Sequence, residues 1–149
     1  MASQYITFMI VFTLGLTMVI VTNNMFTTMS KQFQLNIAEF EMNQILEEIQ
    51  MQILQNLLLL SSFDQTIEQH LNLPVNLAQG FGYTIEISNS TNNDIILYGT
   101  TFNKDISQTM TFSIRSGYLI KAQGEFQSTS LMLSVRTEKI GTDILITIS

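Results

Sequence analysis

Few side chains in this sequence have the chemistry that catalysis requires. His70 is the only histidine and cysteine is absent, so a nucleophile and its base would need to be a serine with His70, or carboxylates alone. His70 follows a polar segment that we expect to end a helix, where a cation is stabilised by the helix dipole. We therefore expect a structural role for His70 and not general-base catalysis.

Acidic pairs and glycines give no stronger signal. Glu47 and Glu48 are adjacent on a predicted helix and point in different directions. Asp64 and Glu68 lie four residues apart and offer too few oxygen ligands for a Ca²⁺ site. Gly80-Phe81-Gly82 lacks the other residues of a phosphate-binding loop. We expect no enzyme activity, no cofactor, no metal ion and no small-molecule substrate.

One modification motif is present. Asn89-Ser90-Thr91 is an N-glycosylation sequon. It begins a polar stretch, residues 89–93, whose composition predicts a hairpin loop. Such triplets also arise by chance in a chain rich in Asn, Ser and Thr, so Asn89 is a candidate site only if this part of the chain faces outside.

Composition narrows the class of protein. Of 149 residues, 46% are apolar and only 12% are charged, with a net charge of −6. This length fits one domain, or one domain with an appendage. Nucleic acid is not an expected partner, because DNA binding needs clustered Lys and Arg. Without cysteine there are no disulfides or thiolate metal sites.

The N-terminal segment is uncharged as far as Ser30, and Tyr5 to Thr22 is almost wholly apolar. Eighteen helical residues span about 27 Å, close to the hydrocarbon thickness of a bilayer. We expect residues 5–30 to lie in a membrane or in the core of a helical filament. The residues expected to form that surface are Tyr5, Ile6, Phe8, Ile10, Phe12, Leu14, Gly15, Leu16, Val19 and Val21.

Two other interpretations of this segment stay open. A removed signal peptide would have a basic start and a small-residue cleavage site, whereas the first basic residue is Lys31 and Asn23-Asn24-Met25 follows the apolar run. A buried core helix would need a larger protein around it. Lys31 alone weakly favours an inside location for the following region, but the Thr/Asn/Ser-rich C-terminal half suits the outside. We therefore expect a cell-surface or cell-membrane protein with its C-terminal domain extracytoplasmic.

The helical pattern continues to about Leu60, since no glycine occurs between Gly15 and Gly80 and the only proline is Pro74. Its second half is amphipathic, with one apolar stripe at spacings of three and four residues. We expect this stripe to pack on the C-terminal domain, and parts of it to contact neighbouring helices in an assembly. The stripe comprises Ala38, Met42, Ile45, Ile49, Ile53, Leu57 and Leu60.

Three regions follow from these patterns. Residues 1–62 form the long helix, residues 63–79 a connector and residues 80–149 a β domain. Within the connector, residues 64–71 could add a helical turn or two, ended by Pro74. From Gly80 the apolar period changes to two, which predicts about six strands. Close spacing of strands favours antiparallel pairing, in an Ig-like β-sandwich or a curled sheet, with the last strand in an interior position. The fold class is α+β.

The order of these parts resembles archaeal type IV pilins and related pilin-like, archaellin-type filament proteins. Locally, Leu73-Pro74, Gly80 and the run from Tyr83 to Ile87 are similar to the start of the first strand in archaeal pilin-like proteins. The first four residues carry no basic leader and no acid precedes Glu39, which departs from the pilin pattern and leaves leader cleavage undecided.

The resemblance implies a structural subunit, major or minor, of a cell-surface filament. Its helices would bundle in the core with the β domains outward, and its partners would be other copies of itself or related pilin subunits, with the membrane as its location before assembly. The alternative is a single-pass membrane-anchored protein whose extracytoplasmic β domain binds an envelope component or a partner subunit.

Overall fold

The computed structural model describes residues 2–62, 66–90, 93–130 and 132–149. A single long helix, α1 (Ala2–Ser62), precedes the strands. The strands are β1 (Ile67–Asn72), β2 (Tyr83–Asn89), β3 (Asp94–Thr101), β4 (Ser107–Ser113), β5 (Leu119–Gln127), β6 (Met132–Ile140) and β7 (Asp143–Ile148), and a 3₁₀ turn, Ala78–Gly80, precedes β2. The chain divides into two compact units, Met1–Asn36 and Ile37–Ser149, so the second half of α1 belongs to the same unit as the sheet.

α1 is continuous because nothing in its sequence interrupts it. Gly15 is its only glycine and it contains no proline, while Leu, Met, Gln and Glu, which favour helix, are frequent in its second half. The helix ends at Ser62, close to the end that the pattern predicts.

The seven strands form one sheet in the order β1-β6-β7-β5-β2-β3-β4. All neighbours are antiparallel except β5 and β7, which run parallel. β7 lies inside the sheet between β6 and β5, as its run of apolar residues predicts. The α+β class is therefore confirmed, but an Ig-like sandwich of two sheets is not, because the strands belong to one hydrogen-bonded sheet.

One face of the sheet is apolar and the second half of α1 packs against it. Alternate residues of each inner strand are buried, and the residues between them are more exposed and mostly polar, as the period of two requires. The buried residues of this face include Tyr83, Ile85, Ile87, Ile95, Leu97, Ile120, Phe126, Leu133, Val135, Ile144, Ile146 and Ile148.

The connector contains a strand that the sequence pattern missed. Residues 67–72 form β1, paired with β6 so that Leu71 lies opposite Leu133; residues 64 and 65 lie outside the described residues. Ile67 and Leu71 are four apart, a spacing that fits one face of a helix and also one face of a strand. Pairing with β6, more than sixty residues away, decides between the two.

Candidate membrane and assembly surface

The apolar segment of α1 is exposed along its length among the described residues. Its large side chains are all exposed, from Tyr5 at 73% to Val21 at 54%. Phe8 and Phe12 stack on one another with ring centroids 6.3 Å apart, and a β-carbon on Gly15 would meet nothing. Within the described residues, Ser3–Leu60 is the one helix long and apolar enough to cross a membrane. By length and composition, the surface suits lipid or other helices.

The threonine hydroxyls of this segment are satisfied within the helix. The hydroxyls of Thr7, Thr13, Thr17 and Thr22 each donate to the carbonyl oxygen four residues earlier, at 2.6–2.9 Å. Such bonds leave the backbone helical and give each hydroxyl a partner where water is absent. The threonines therefore do not prevent burial in hydrocarbon.

The structure also places the predicted packing stripe against the sheet. Ala38, Met42, Ile45, Ile49, Ile53 and Leu60 are buried, whereas Leu57 is half-buried at the margin. Met42 lies on Gly99 of β3, where the absent side chain leaves room for it. This half of α1 is therefore seated on the β domain by the residues that the spacing indicates.

Two polar contacts also hold this half of α1 on the β domain. The apolar spacing does not predict them. Buried Asn56 donates through Nδ2 to the carbonyl oxygen of Val135 at 3.3 Å and lies 3.5 Å from the Thr137 hydroxyl. Glu41 accepts a short hydrogen bond from the backbone N–H of Ala78 in the 3₁₀ turn. The sequence does contain a signal for Asn56, because it is a polar residue within an apolar stripe. A buried amide needs a hydrogen-bond partner.

The outer face of the same half-helix carries a second apolar line. Phe40, Met51 and Leu58 are exposed at 62%, 57% and 71%. They are separated by eleven and seven residues, close to three and two helical turns, so they share one face. Ile49 is nine residues from Phe40 and from Leu58, which is two and a half turns, and lies on the opposite, buried side. Glu47, seven residues after Phe40 and four before Met51, lies on the same face and interrupts the apolar spacing, so the pattern alone does not indicate this line.

The structure places a serine beside His70, but among the described residues no hydrogen bond joins the Ser134 hydroxyl to the imidazole, and that hydroxyl donates to Glu68 instead. His70 lies on β1 with its side chain exposed, opposite Ser134 of β6, so the helix-end role predicted for it is wrong. Glu68 accepts a hydrogen bond from the Ser134 hydroxyl at 2.8 Å, and Glu47 and Glu48 are exposed on α1. In the part of the chain that the structure describes, no three His, Asp or Glu residues form a metal-binding group; Asp64 lies outside that part.

The open face of the sheet is mainly polar and carries more acidic than basic side chains. Lys121 and Asp143 form an ion pair at 2.7 Å on neighbouring strands β5 and β7. The hydrogen bond from Lys121 lowers the pKa of Asp143 below its ordinary value. On the buried side, the Tyr83 hydroxyl donates to the Pro74 carbonyl oxygen at 2.7 Å, and burial raises the pKa of Tyr83 above its ordinary value. These groups stabilise the fold.

Asn89 ends β2 and does not lie in the loop predicted for it. Its side chain reaches β5, accepting from the Ala122 N–H and donating to the Ile120 carbonyl oxygen, both at the long distance of 3.5 Å. Asn89 and Ser90 are exposed, and Thr91 lies outside the described residues. The candidate glycosylation site is therefore on the surface, with an amide held only by weak bonds.

Comparisons with protein-family models, curated proteins and solved structures found no match to this chain. What bears on function is therefore the surface itself: an uncharged apolar helix segment, followed by a half-helix seated on a β domain.

Proposed function

We propose that the chain is a structural subunit of a cell-surface filament resembling archaeal type IV pili, with its N-terminal helices bundled in the core and its β domains facing out. The observation that carries this proposal is the uncovered apolar surface of residues 5–29. Its exposed side chains include Phe8, Phe12, Leu14, Val19 and Phe26, and the first charge is Lys31.

This surface is compatible with both stages of such an assembly. Before assembly, an uncharged helix with satisfied hydroxyls is stable in lipid. In a bundle, each helix buries apolar surface against its neighbours. Burial stabilises by about 25 cal/mol per Å² relative to exposure to water. Open space around Gly15 lets a neighbouring backbone approach closely, as small residues do in packed membrane helices.

The outer line of Phe40, Met51 and Leu58 favours assembly over simple anchoring. A bilayer is crossed by about 20 helical residues, which residues 5–24 already supply. The exposed apolar residues of α1 extend as far as Leu58, which is well beyond the length that a membrane anchor requires. Contacts with further copies would cover them. The alternative function, a membrane-anchored protein whose outward β domain binds an envelope component, needs only the first segment.

Electron microscopy of filaments sheared from cells tests the proposal. An epitope tag placed at Gly117 leaves the helix and core unchanged, because this exposed turn has open space where a side chain would project. Gold label along thin filaments is the expected result for a major subunit, and label at filament ends for a minor one. Label confined to membranes, with no filament in the sheared fraction, would contradict the proposal. Cells with the untagged chain control for background labelling.

A further inference from the structure

β4 forms one edge of the sheet, and its outer backbone groups are open. The Thr101 N–H donates to the Ile106 carbonyl and the Ile114 N–H donates to the Asn93 carbonyl. Even-numbered residues of this segment therefore direct their backbone groups toward β3, and the alternation of an antiparallel ladder turns the odd-numbered ones outward. The residues that present N–H and C=O groups to the open edge are Ser107, Thr109, Thr111 and Ser113, all of them exposed.

This edge lacks the usual protection against pairing. Natural sheets block their edges with charged residues, prolines, bulges or a covering segment. β4, from Ser107 to Ser113, has no charge, no proline and no glycine. The opposite edge, β1, carries Glu68 and His70. The unprotected edge is therefore confined to one side of the domain, and an extended chain fits it.

The flanking charges indicate what kind of chain fits. Asp105 and Arg115 lie five residues before and five residues after Met110, the middle of β4. Both are exposed, and neither forms an ion pair among the described residues. An antiparallel pair of two β4 strands centred on Met110 would bring together the segments just beyond the strand ends, with Asp105 of each copy near Arg115 of the other.

We propose that β4 pairs with β4 of a second copy of this chain, antiparallel across a two-fold axis at Met110. This register places outward-facing residues opposite one another, Ser107 with Ser113 and Thr109 with Thr111, so each pair exchanges two backbone hydrogen bonds. Threonine pairs are favourable cross-strand neighbours. Such an interface is isologous and closes as a dimer. It does not rest on the filament proposal, because it involves only the β domain.

Cysteine cross-linking tests the register, since the chain has no cysteine of its own. The experiment uses the full chain in detergent micelles with a mild oxidant. Met110→Cys places two thiols across the axis, where paired Cα atoms lie about 4.5 Å apart, within disulfide range. Ser107→Cys is the matched control, because the two copies of residue 107 stand six residues out of register, about 20 Å apart. We expect a disulfide dimer from Met110→Cys and none from Ser107→Cys.

A mixture of Ser107→Cys and Ser113→Cys chains keeps the test valid if Met110→Cys disturbs the core. We expect the mixed disulfide to form in preference to either homodimer. Equal cross-linking at all positions would overturn the proposal, as would no cross-link from either Met110→Cys or the mixture.

Reversing the charges of Asp105 and Arg115 tests the contacts between the two copies separately. Asp105→Arg replaces two attractions by two repulsions, and we expect the dimer dissociation constant to rise about tenfold. Adding Arg115→Asp restores opposite charges and is expected to restore the dimer. A dissociation constant that Asp105→Arg leaves unchanged would exclude this register. Absence of filaments from cells that contain the dimer would contradict the filament proposal alone.

Discussion

The sulfur of Met42 lies against the backbone of Gly99, so close that a β-carbon added to Gly99 would stand 2.5 Å from it. Met42 is fully buried in α1 and Gly99 is buried in β3. The helix therefore approaches the sheet at a point where a side chain is missing from the strand.

Gly99→Ala should destabilise the β domain. Met42 is flexible and can move, so we expect a loss of about 1–2 kcal/mol in the free energy of unfolding. Combining it with Met42→Ala should cost less than the sum of the two single changes, because the added methyl then has room. Denaturant unfolding followed by the near-UV circular dichroism of buried Tyr83 measures this. Gly117→Ala, in an open turn, is the control, and an equal loss there would contradict the explanation.

Gly124→Ala should be more damaging. Gly124 has φ of +134°, and a β-carbon would overlap the carbonyl oxygen of Ile148 on the parallel strand β7. Backbone cannot yield as a side chain does, so we expect a loss of at least about 3 kcal/mol in the free energy of unfolding. Gly141→Ala is the matched control, since Gly141 has φ of +64° with open space around it, and it should lose only about 1–2 kcal/mol. Equal losses in both variants would refute the backbone overlap.

Asn56→Asp should make stability depend on pH. The new carboxyl would be buried beside the Val135 carbonyl oxygen, which repels its charged form, so its pKa in the folded state would rise above the unfolded value. A raised pKa in the folded protein stabilises the fold at pH below the unfolded value, and this stability is lost as pH rises toward the folded value. We expect the variant to unfold at lower denaturant concentration at pH 7 than at pH 4, relative to the parent. Asn56→Leu should show no such difference.

The pKa of Asp143 should be lower than that of an ordinary aspartate. Its pKa is lowered by the hydrogen bond from Lys121, so its contribution to stability is present above the unfolded pKa and is lost as pH falls through the folded value. Lys121→Met should raise the pKa of Asp143 toward its ordinary value, as measured by carboxyl-carbon NMR. Arg136→Met should leave it unchanged, because Arg136 pairs with Glu138. An unmoved Asp143 titration in Lys121→Met would show that the ion pair does not form.

Leu14→Lys should impair membrane retention. Leu14 is exposed in the middle of the apolar segment, and a lysine at the centre of a membrane helix costs about 2.5–3.5 kcal/mol on insertion scales. We expect a larger soluble or degraded fraction after carbonate extraction of membranes. Thr13→Val, at the adjacent position, removes only a hydroxyl that bonds within the helix and should stay in the membrane. Full retention of Leu14→Lys would mean that this segment does not cross lipid.

Local patterns in the sequence were enough to predict the α+β class, with one long helix followed by strands. Uncharged residues up to Ser30, the stripe from Ala38 to Leu60 and the change of period after Gly80 are all visible within short windows, because helix and strand periodicity is local. Of the candidate surface, the sequence alone indicated both the apolar segment and the half-helix that faces the sheet.

Tertiary structure decided the features that depend on distant partners. β1 is a strand because β6 pairs with it, and β5 pairs with β7, where Gly124 leaves room for the backbone of Ile148. The order of strands places β4 at an open edge. Packing of α1 on the sheet brings Asn56 to Val135 and Met42 to Gly99. Pairing and packing between residues far apart in the chain are set by the free energy of the whole fold, which no local pattern contains.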